Sequence, residues 1–204
     1  MPDQVSCKEE PTKEVILEAA LDVIEDKAIS GTRLRLIAER ANLFQSNIHY
    51  YFRSKRELLL AVQKKVLNRC IEIRSALEQE AEDTLDAQLN VFIRQKTEFI
   101  RNLRKYDYAE IDFWVQARSD EDIRREFSRS FQNWRDDIKN VLRPYAPGGD
   151  EAQLELCAAM FLSLMEGATL QYLIDPEAFD LDRYFDAAGE AVKARLAQLD
   201  KPCI

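Results

Sequence analysis

Residues 30–60, SGTRLRLIAERANLFQSNIHYYFRSKRELLL, decide the fold of this chain. Two short helical patterns, one from Thr32 to Ala41 and one from Gln45 to Tyr51, flank a tight turn, and basic and aromatic residues follow them. Ile37, Ala41, Leu43 and Ile48 fall where a helix-turn-helix buries its interior contacts, and the small Ala38 lets a second helix cross closely. Thr32 stands where a hydroxyl caps the free N–H groups of the first helix. Asn42 occupies the turn, where a positive φ is needed and Asn tolerates it better than other non-glycine residues. The second helix turns inward through Ile48. Its other face offers Gln45, Ser46, Asn47, His49 and Tyr50, donors and acceptors suited to base edges and phosphates. A solvated surface helix pair satisfies the same spacing, so spacing alone does not separate the two readings.

Charge does separate them. The 204-residue chain is acidic overall, at net −8. Between Lys27 and Lys65, however, nine basic residues (Lys27, Arg33, Arg35, Arg40, Arg53, Lys55, Arg56, Lys64, Lys65) face only Glu39 and Glu57, a net of +7 that leaves −15 for the remainder. A basic island on an acidic protein is an electrostatic footprint for nucleic acid, because neutralising phosphates releases counterions. The acidic remainder repels DNA and so orients the encounter. An anionic membrane surface is the other use of such charge, but no basic amphipathic helix with an exposed apolar face supports it.

With these residues in view, Thr12–Val62, TKEVILEAALDVIEDKAISGTRLRLIAERANLFQSNIHYYFRSKRELLLAV, resembles the N-terminal domain of the TetR family of transcriptional regulators. The resemblance rests on an amphipathic first helix (Ile16, Leu17, Ala20, Leu21, Ile24), Thr32, the segment IAERA and the run IHYYFRSKRELL, in unbroken register over about a quarter of the chain. It implies that Gln45, Ser46, Asn47, His49 and Tyr51 read bases or bind phosphates, and that Thr32, Arg33, Tyr50 and Lys55 anchor the DNA backbone. Three positions depart from the family pattern. Asn42 replaces the usual turn glycine. Arg35 stands where an acidic residue often completes a cap, which leaves it available for a phosphate. Phe44 replaces a small hydroxyl cap of the recognition helix; its ring is expected to pack back onto the domain, the alternative being contact with a thymine methyl.

The expected architecture is all-α: a three-helix helix-turn-helix domain over residues 1–54, then a six-helix ligand-binding and dimerisation domain over 55–204. Periodicity predicts helices near 55–81, 84–105, 107–118, 120–143, 150–174 and 180–199, with Asp83, Asp107, Asp120, Asp150 and Asp180 near their starts. Pro144, Pro147, Gly148 and Gly149 mark one loop and Asp175-Pro176 another. The first ten or so residues are polar and expected to be unstructured. Leu154–Ile174 is apolar nearly all round, so that helix is central in a core or partly covered by another chain. Gly167 and Ala168 allow a partner helix to approach, and a homodimer matches a palindromic operator. The resemblance places the last two helices in a four-helix bundle across a two-fold axis, with Leu164, Gly167, Ala168 and Gln171 at the interface. The segments IDFWVQARSDEDIRREF and MEGATLQYLIDPEAFD also resemble one subclass of TetR-family effector domains.

Aromatic residues cluster in the body. Plain core packing accounts for Phe127, Phe131 and Trp134 on one helical face. The sharper expectation is an effector pocket formed by Phe92, Gln95, Phe99, Phe113, Trp114, Phe131, Trp134 and Met165, suited to a small hydrophobic or cationic molecule. An effector-independent regulator and a helical protein-interaction adaptor are the alternatives, though an adaptor leaves the basic island unexplained. Catalysis is not expected. The single histidine, His49, lies in the recognition helix, and five glycines leave no phosphate-cradling loop. No metal or cofactor is expected. Cys7, Cys70, Cys157 and Cys203 are scattered, which with no evident leader or membrane span fits a reducing cytoplasm.

Overall fold

The computed structural model describes the backbone of residues 6–199 and the side chains of 11–199. Expectations for the first five residues, and for the side chains of Cys7 and Cys203, therefore lie outside the described residues, whereas residues 6–10, expected to be unstructured, are helical. Nine α-helices and one short 3-10 turn, and no strand, occur among the described residues: α1 (Ser6–Gly31), α2 (Leu34–Arg40), α3 (Gln45–Tyr51), α4 (Lys55–Glu78), α5 (Leu85–Asn102), α6 (Arg104–Gln116), α7 (Glu121–Leu142), the turn Arg143–Tyr145, α8 (Glu151–Ile174) and α9 (Leu181–Leu199). The all-α expectation holds, with the ends of the helices from α2 onward shifted by at most three residues. The chain divides into two compact units, Met1–Arg69 with Leu103–Arg125, and Cys70–Asn102 with Glu126–Ile204. The first unit thus reaches past residue 54 in sequence and takes in α6.

In the first unit α1 packs on α2 and on α6, and α2 packs on α3. The apolar stripe of α1 (Ile16, Ala20, Leu21, Ile24) is buried with Ile37 and Ala38 of α2, Ile48 of α3, Phe52, and Leu58 and Val62 of α4. Burying each large aliphatic side chain contributes about 1.5–3 kcal/mol, so this small core holds two seven-residue segments, α2 and α3, that are too brief to be helical alone. Polar contacts add direction. Glu18 of α1 accepts hydrogen bonds from Lys105 and from the Tyr106 hydroxyl of α6, and pairs with Lys65 of α4 at 2.8 Å. Burial works to raise the Glu18 carboxyl, but the bonds from Lys105 and Lys65 outweigh it and hold its pKa down at about 2. Arg56 pairs with Asp120 and Asp122, and Gln63 donates to the Ile123 carbonyl.

Not every expected cap is used. Asp120 accepts from the Asp122 and Ile123 amides at the start of α7. Asp107 instead lies inside α6 and is buried, because that helix starts at Arg104 with Leu103 before it.

In the second unit α8 packs against α5 and α9, and α5 also meets α9. Phe92, Trp134, Ile138, Leu154, Phe161, Met165, Phe185 and Leu196 belong to one buried cluster. Phe92 and Phe161 meet edge to face at 6.3 Å, the arrangement that ring quadrupoles favour. Asp150 caps α8 by accepting from the Gln153 amide, Asp180 accepts from the Arg183 amide, and Thr84 takes the capping role expected of Asp83. Lys139 binds Asp136, Glu151 and Glu155, linking α7 to α8. By length and composition α8 matches a membrane span, yet Leu154, Cys157, Ala158, Phe161, Met165 and Ala168 are buried inside the unit. It is the core helix of that unit.

Candidate nucleic-acid interface and effector region

The helix-turn-helix is built around two fully buried side chains, Ile37 of α2 and Ile48 of α3. Asn42 adopts φ 53° at the turn between them, as its residue type predicts. With Ile48 turned inward, Gln45, Ser46, His49 and Tyr50 are exposed, while Asn47 and Tyr51 are half-buried. Gln45 and His49 approach to 3.4 Å on one face, and the Tyr50 and Tyr51 rings meet edge to face at 5.0 Å. Asn47 Oδ1 accepts the Phe44 amide at 3.0 Å. Its NH2 remains to donate, and its oxygen keeps a second lone pair.

Two expectations about this region are corrected. Phe44 does not pack onto the domain; it is 81% exposed at the start of α3. Ile48 already fills the inward position, and extended backbone at residue 44 points the ring away from it. Thr32 does not cap α2. Arg33 precedes that helix without a side-chain cap, and the buried Thr32 hydroxyl donates back to the Ala28 carbonyl at 2.9 Å, closing α1 instead of opening α2.

The basic island is also reshaped by carboxylates, most of them from outside the stretch. Arg40 pairs with Asp22 and Asp26, Arg56 with Asp120 and Asp122, Lys65 with Glu14 and Glu18, and Arg35 with Glu39. Among the described residues no carboxylate pairs with Lys27, Arg33, Arg53, Lys55 or Lys64. Arg33 donates to the Ser30 and Thr32 carbonyls, and Lys55 to the Ile29 and Thr32 carbonyls at 2.9 and 2.7 Å. Burial, then the neighbouring Arg33 charge, lowers the Lys55 ammonium pKa. Carbonyl oxygens do not cancel charge, so neither side chain is neutralised by these partners, and each keeps donors to spare.

The residues expected to line a pocket are divided. Phe92, Gln95, Phe99, Trp134 and Met165 are buried in the second unit and Phe131 is half-buried there, whereas Phe113 and Trp114 belong to the first unit. The sequence reading missed Arg74. Its guanidinium lies 5.6 Å from the Phe92 ring centroid and 5.9 Å from that of Trp134, and it pairs with Asp137 at 2.6 Å. Helical spacing on α4 carried no signal for that stacking. Lys96 and Glu166 form a buried ion pair at 3.0 Å, and Gln95 Nε2 donates to the Cys70 carbonyl. Gln95 Oε1 and Trp134 Nε1 are buried without a hydrogen-bond partner, which is uncommon in a folded core. Burial pushes the Cys157 thiol up, so it is a packing residue and a poor nucleophile.

Among the expected interface residues of α8, Ala168 is wholly buried in its own unit, Leu164 and Gly167 are half-buried, and Gln171 is exposed. The outward apolar stripe is Leu156, Met160, Leu170 and Ile174, the last 86% exposed. Periodicity could not name these four, because α8 is apolar on most sides.

A helix pair with a buried seam, an exposed polar face and unpaired cations beside it defines a helix-turn-helix DNA-binding protein. Two family models match separate parts of the chain: bacterial regulatory proteins of the tetR family over residues 16–62, and the BetI-type transcriptional repressor C-terminal domain over 109–197. The regulator RutR of Escherichia coli is 36% identical over 90 residues, 44% of this chain and 42% of RutR. BetI of Burkholderia thailandensis is 23% identical over 182 residues, covering 89% and 92% of the two chains. A transcriptional regulator from Saccharomonospora viridis, solved in complex with choline, superposes with a TM-score of 0.79 at 17% identity over 90% of this chain and 96% of its own. The chain belongs to the TetR family of transcriptional regulators. It is a DNA-binding regulator and not an enzyme.

Proposed function

We propose that this protein is a homodimeric, effector-released repressor whose α3 helices read the two halves of a palindromic operator. The observation that carries the reading is the exposed face Gln45, Ser46, His49 and Tyr50 of α3, held out by buried Ile48 and flanked by the uncompensated charges of Arg33, Arg53 and Lys55. In this reading Gln45, Asn47 and His49 contact base edges. Phe44 meets a thymine methyl, and Thr32, Arg33, Arg35, Ser46, Tyr50, Tyr51 and Lys55 position the head on phosphates or through the backbone that carries them. Residues 1–54 act as the reading head and 55–204 as the effector and dimerisation part. The protein works in the cytoplasm, where its operator is.

Dimerisation is supported by the exposed stripe Leu156, Met160, Leu170 and Ile174 on α8, more apolar surface than a solvated helix carries. Gly167 and Gln171 lie on the same helix and complete the interface. The effector is a small molecule taken up beside Phe92, Gln95, Trp134 and Met165, where a buried amide oxygen and an indole N–H have no partner. Arg74 already stacks against Phe92 and Trp134, so these ring faces suit a cation, and a cationic effector competes with the guanidinium. The choline bound to the Saccharomonospora viridis regulator is in keeping with that chemistry. Release follows if the effector binds one arrangement of the heads better than the other.

Selection from a random duplex pool tests the reading. The purified protein is expected to enrich a two-fold symmetric sequence, and Asn47→Ala to change the preferred base at one position of each half-site, at about 1–3 kcal/mol. Enrichment of no symmetric sequence would sink it.

A further inference from the structure

The strained point of the first unit is Ala28, with φ 56° and ψ 168°, inside the kink of α1. That region of backbone space is essentially reserved for glycine, and an alanine stays there only when its surroundings hold it. The holding groups are charged and come from two other helices. Asp112 of α6 accepts the Ile29 amide at 2.6 Å, the N–H that the kink removes from the helix. Lys55 of α4 donates to the Ile29 carbonyl at 2.9 Å and to the Thr32 carbonyl at 2.7 Å. Thr32 closes the turn by donating its hydroxyl and its amide to the Ala28 carbonyl, at 2.9 and 3.1 Å. One residue, Ile29, is therefore gripped by a carboxylate on its N–H and an ammonium on its C=O. Helix α2 begins only five residues later, at Leu34, and α2 packs on α3.

We propose that Asp112 is a positioning residue for DNA reading: its carboxylate holds the left-handed kink at Ala28 and thereby sets where α2 and α3 stand on α1. The inference rests on the DNA-binding function of the family. Without the carboxylate, Ala28 relaxes toward ordinary helical backbone, the Ile29–Thr32 turn rewinds, and the recognition helix leaves its reading position. Glycine at position 28 needs no such holding, because it adopts positive φ freely. The clamp and the residue type at 28 are thus two parts of one device, and changing one alters the need for the other.

The test is a cycle of Asp112→Ala, Asp112→Asn, Ala28→Gly and the Asp112→Ala/Ala28→Gly double variant in the full chain. Each is titrated against the symmetric duplex that the unchanged protein selects, with urea unfolding measured in parallel. Asp112→Ala is expected to weaken binding by on the order of tenfold, the scale of one strained residue's conformational preference. Asp112→Asn, which keeps a neutral acceptor, is expected to lose less. Ala28→Gly alone leaves affinity within about twofold, and in the double variant it restores most of the lost affinity. Exchange of the Ile29 amide with solvent, followed by NMR without DNA, is expected to be slow in the unchanged protein and fast in the double variant, where glycine keeps the kink and the amide has lost its acceptor. Recovered affinity with a still-unprotected amide separates the kink from general stability. Unchanged affinity in Asp112→Ala, or a loss that Ala28→Gly does not repair, overturns the proposal. If no duplex were selected at all, the DNA reading would fail, and Ile29 exchange as slow in the double variant as in the unchanged protein would independently overturn the clamp.

Discussion

Replacing Glu18 by Gln removes the charge on which α1, α4 and α6 converge while keeping the side chain's shape and one acceptor. In the folded protein Lys65 and Lys105 approach this carboxylate at 2.8 and 2.7 Å, and the Tyr106 hydroxyl donates to it at 3.0 Å. Its pKa falls from the ordinary 4.5 to about 2. Taken at face value, that depression is worth about 3 kcal/mol. The carboxylate is 36% exposed, so solvent screening reduces the expected contribution to about 1–2 kcal/mol. Both lysines also keep a second carboxylate, Glu14 for Lys65 and Asp22 for Lys105, which limits the loss further. Because the folded-state pKa is depressed, this stability is fully present above the unfolded value of 4.5 and is lost as pH falls toward about 2. The assay is urea unfolding of the Trp134→Phe background, in which Trp114, one of two tryptophans, reports the first unit alone. Glu18→Gln is expected to lower stability by about 1–2 kcal/mol at neutral pH, and the difference from its background to close across the acid range. Other carboxylates titrate alike in both proteins and cancel. A difference that stays constant from pH 7 into the acid range, or no difference at pH 7, would refute the electrostatic account of how α1 is held.

Three further outcomes follow from the geometry. Ile48→Ala opens a cavity at the fully buried centre of the helix-turn-helix and is expected to cost about 2–5 kcal/mol by urea unfolding, with loss of duplex binding; a cost under half a kcal/mol would mean that α3 is not anchored there. Lys55→Met strips the Ile29 carbonyl of its ammonium while the Thr32 carbonyl keeps Arg33, so stability should fall by about 1.5–3 kcal/mol. If Lys55 also reaches a phosphate, the salt dependence of binding should flatten by about one ion, and an unchanged slope would assign it a purely internal role. Leu170→Asp with Ile174→Asp places charges on the exposed α8 stripe and should yield monomers by analytical ultracentrifugation with unchanged helical content; a dimer that survives both changes would move the interface elsewhere.

The fold was legible because its signals are local. Helical period, the turn-forming Asn42, the Pro144–Gly149 loop and the caps Asp120, Asp150 and Asp180 act over three or four residues, a range that a single sequence exposes. The candidate interface was legible for the same reason, since one turn of α3 carries the polar face and Ile48 its anchor. Phe44 and Thr32 were misread because each lies at a helix boundary, where tertiary packing chooses between two local options of similar energy.

By itself, then, the sequence determined the helices, the helix-turn-helix register and the concentration of positive charge between Lys27 and Lys65. Tertiary structure decided how much of that charge is available. Glu14, Glu18, Asp22, Asp26, Asp120 and Asp122 come from outside the stretch to pair with Arg40, Arg56 and Lys65, leaving Lys27, Arg33, Arg53, Lys55 and Lys64 without a carboxylate partner among the described residues. It alone decided that Arg74 stacks on Phe92 and Trp134, and that Ala28 is held in a glycine's conformation by Asp112, 83 residues beyond the amide it binds. Charge pairing and backbone strain depend on distances between residues remote in sequence, and those distances exist only once the helices have packed.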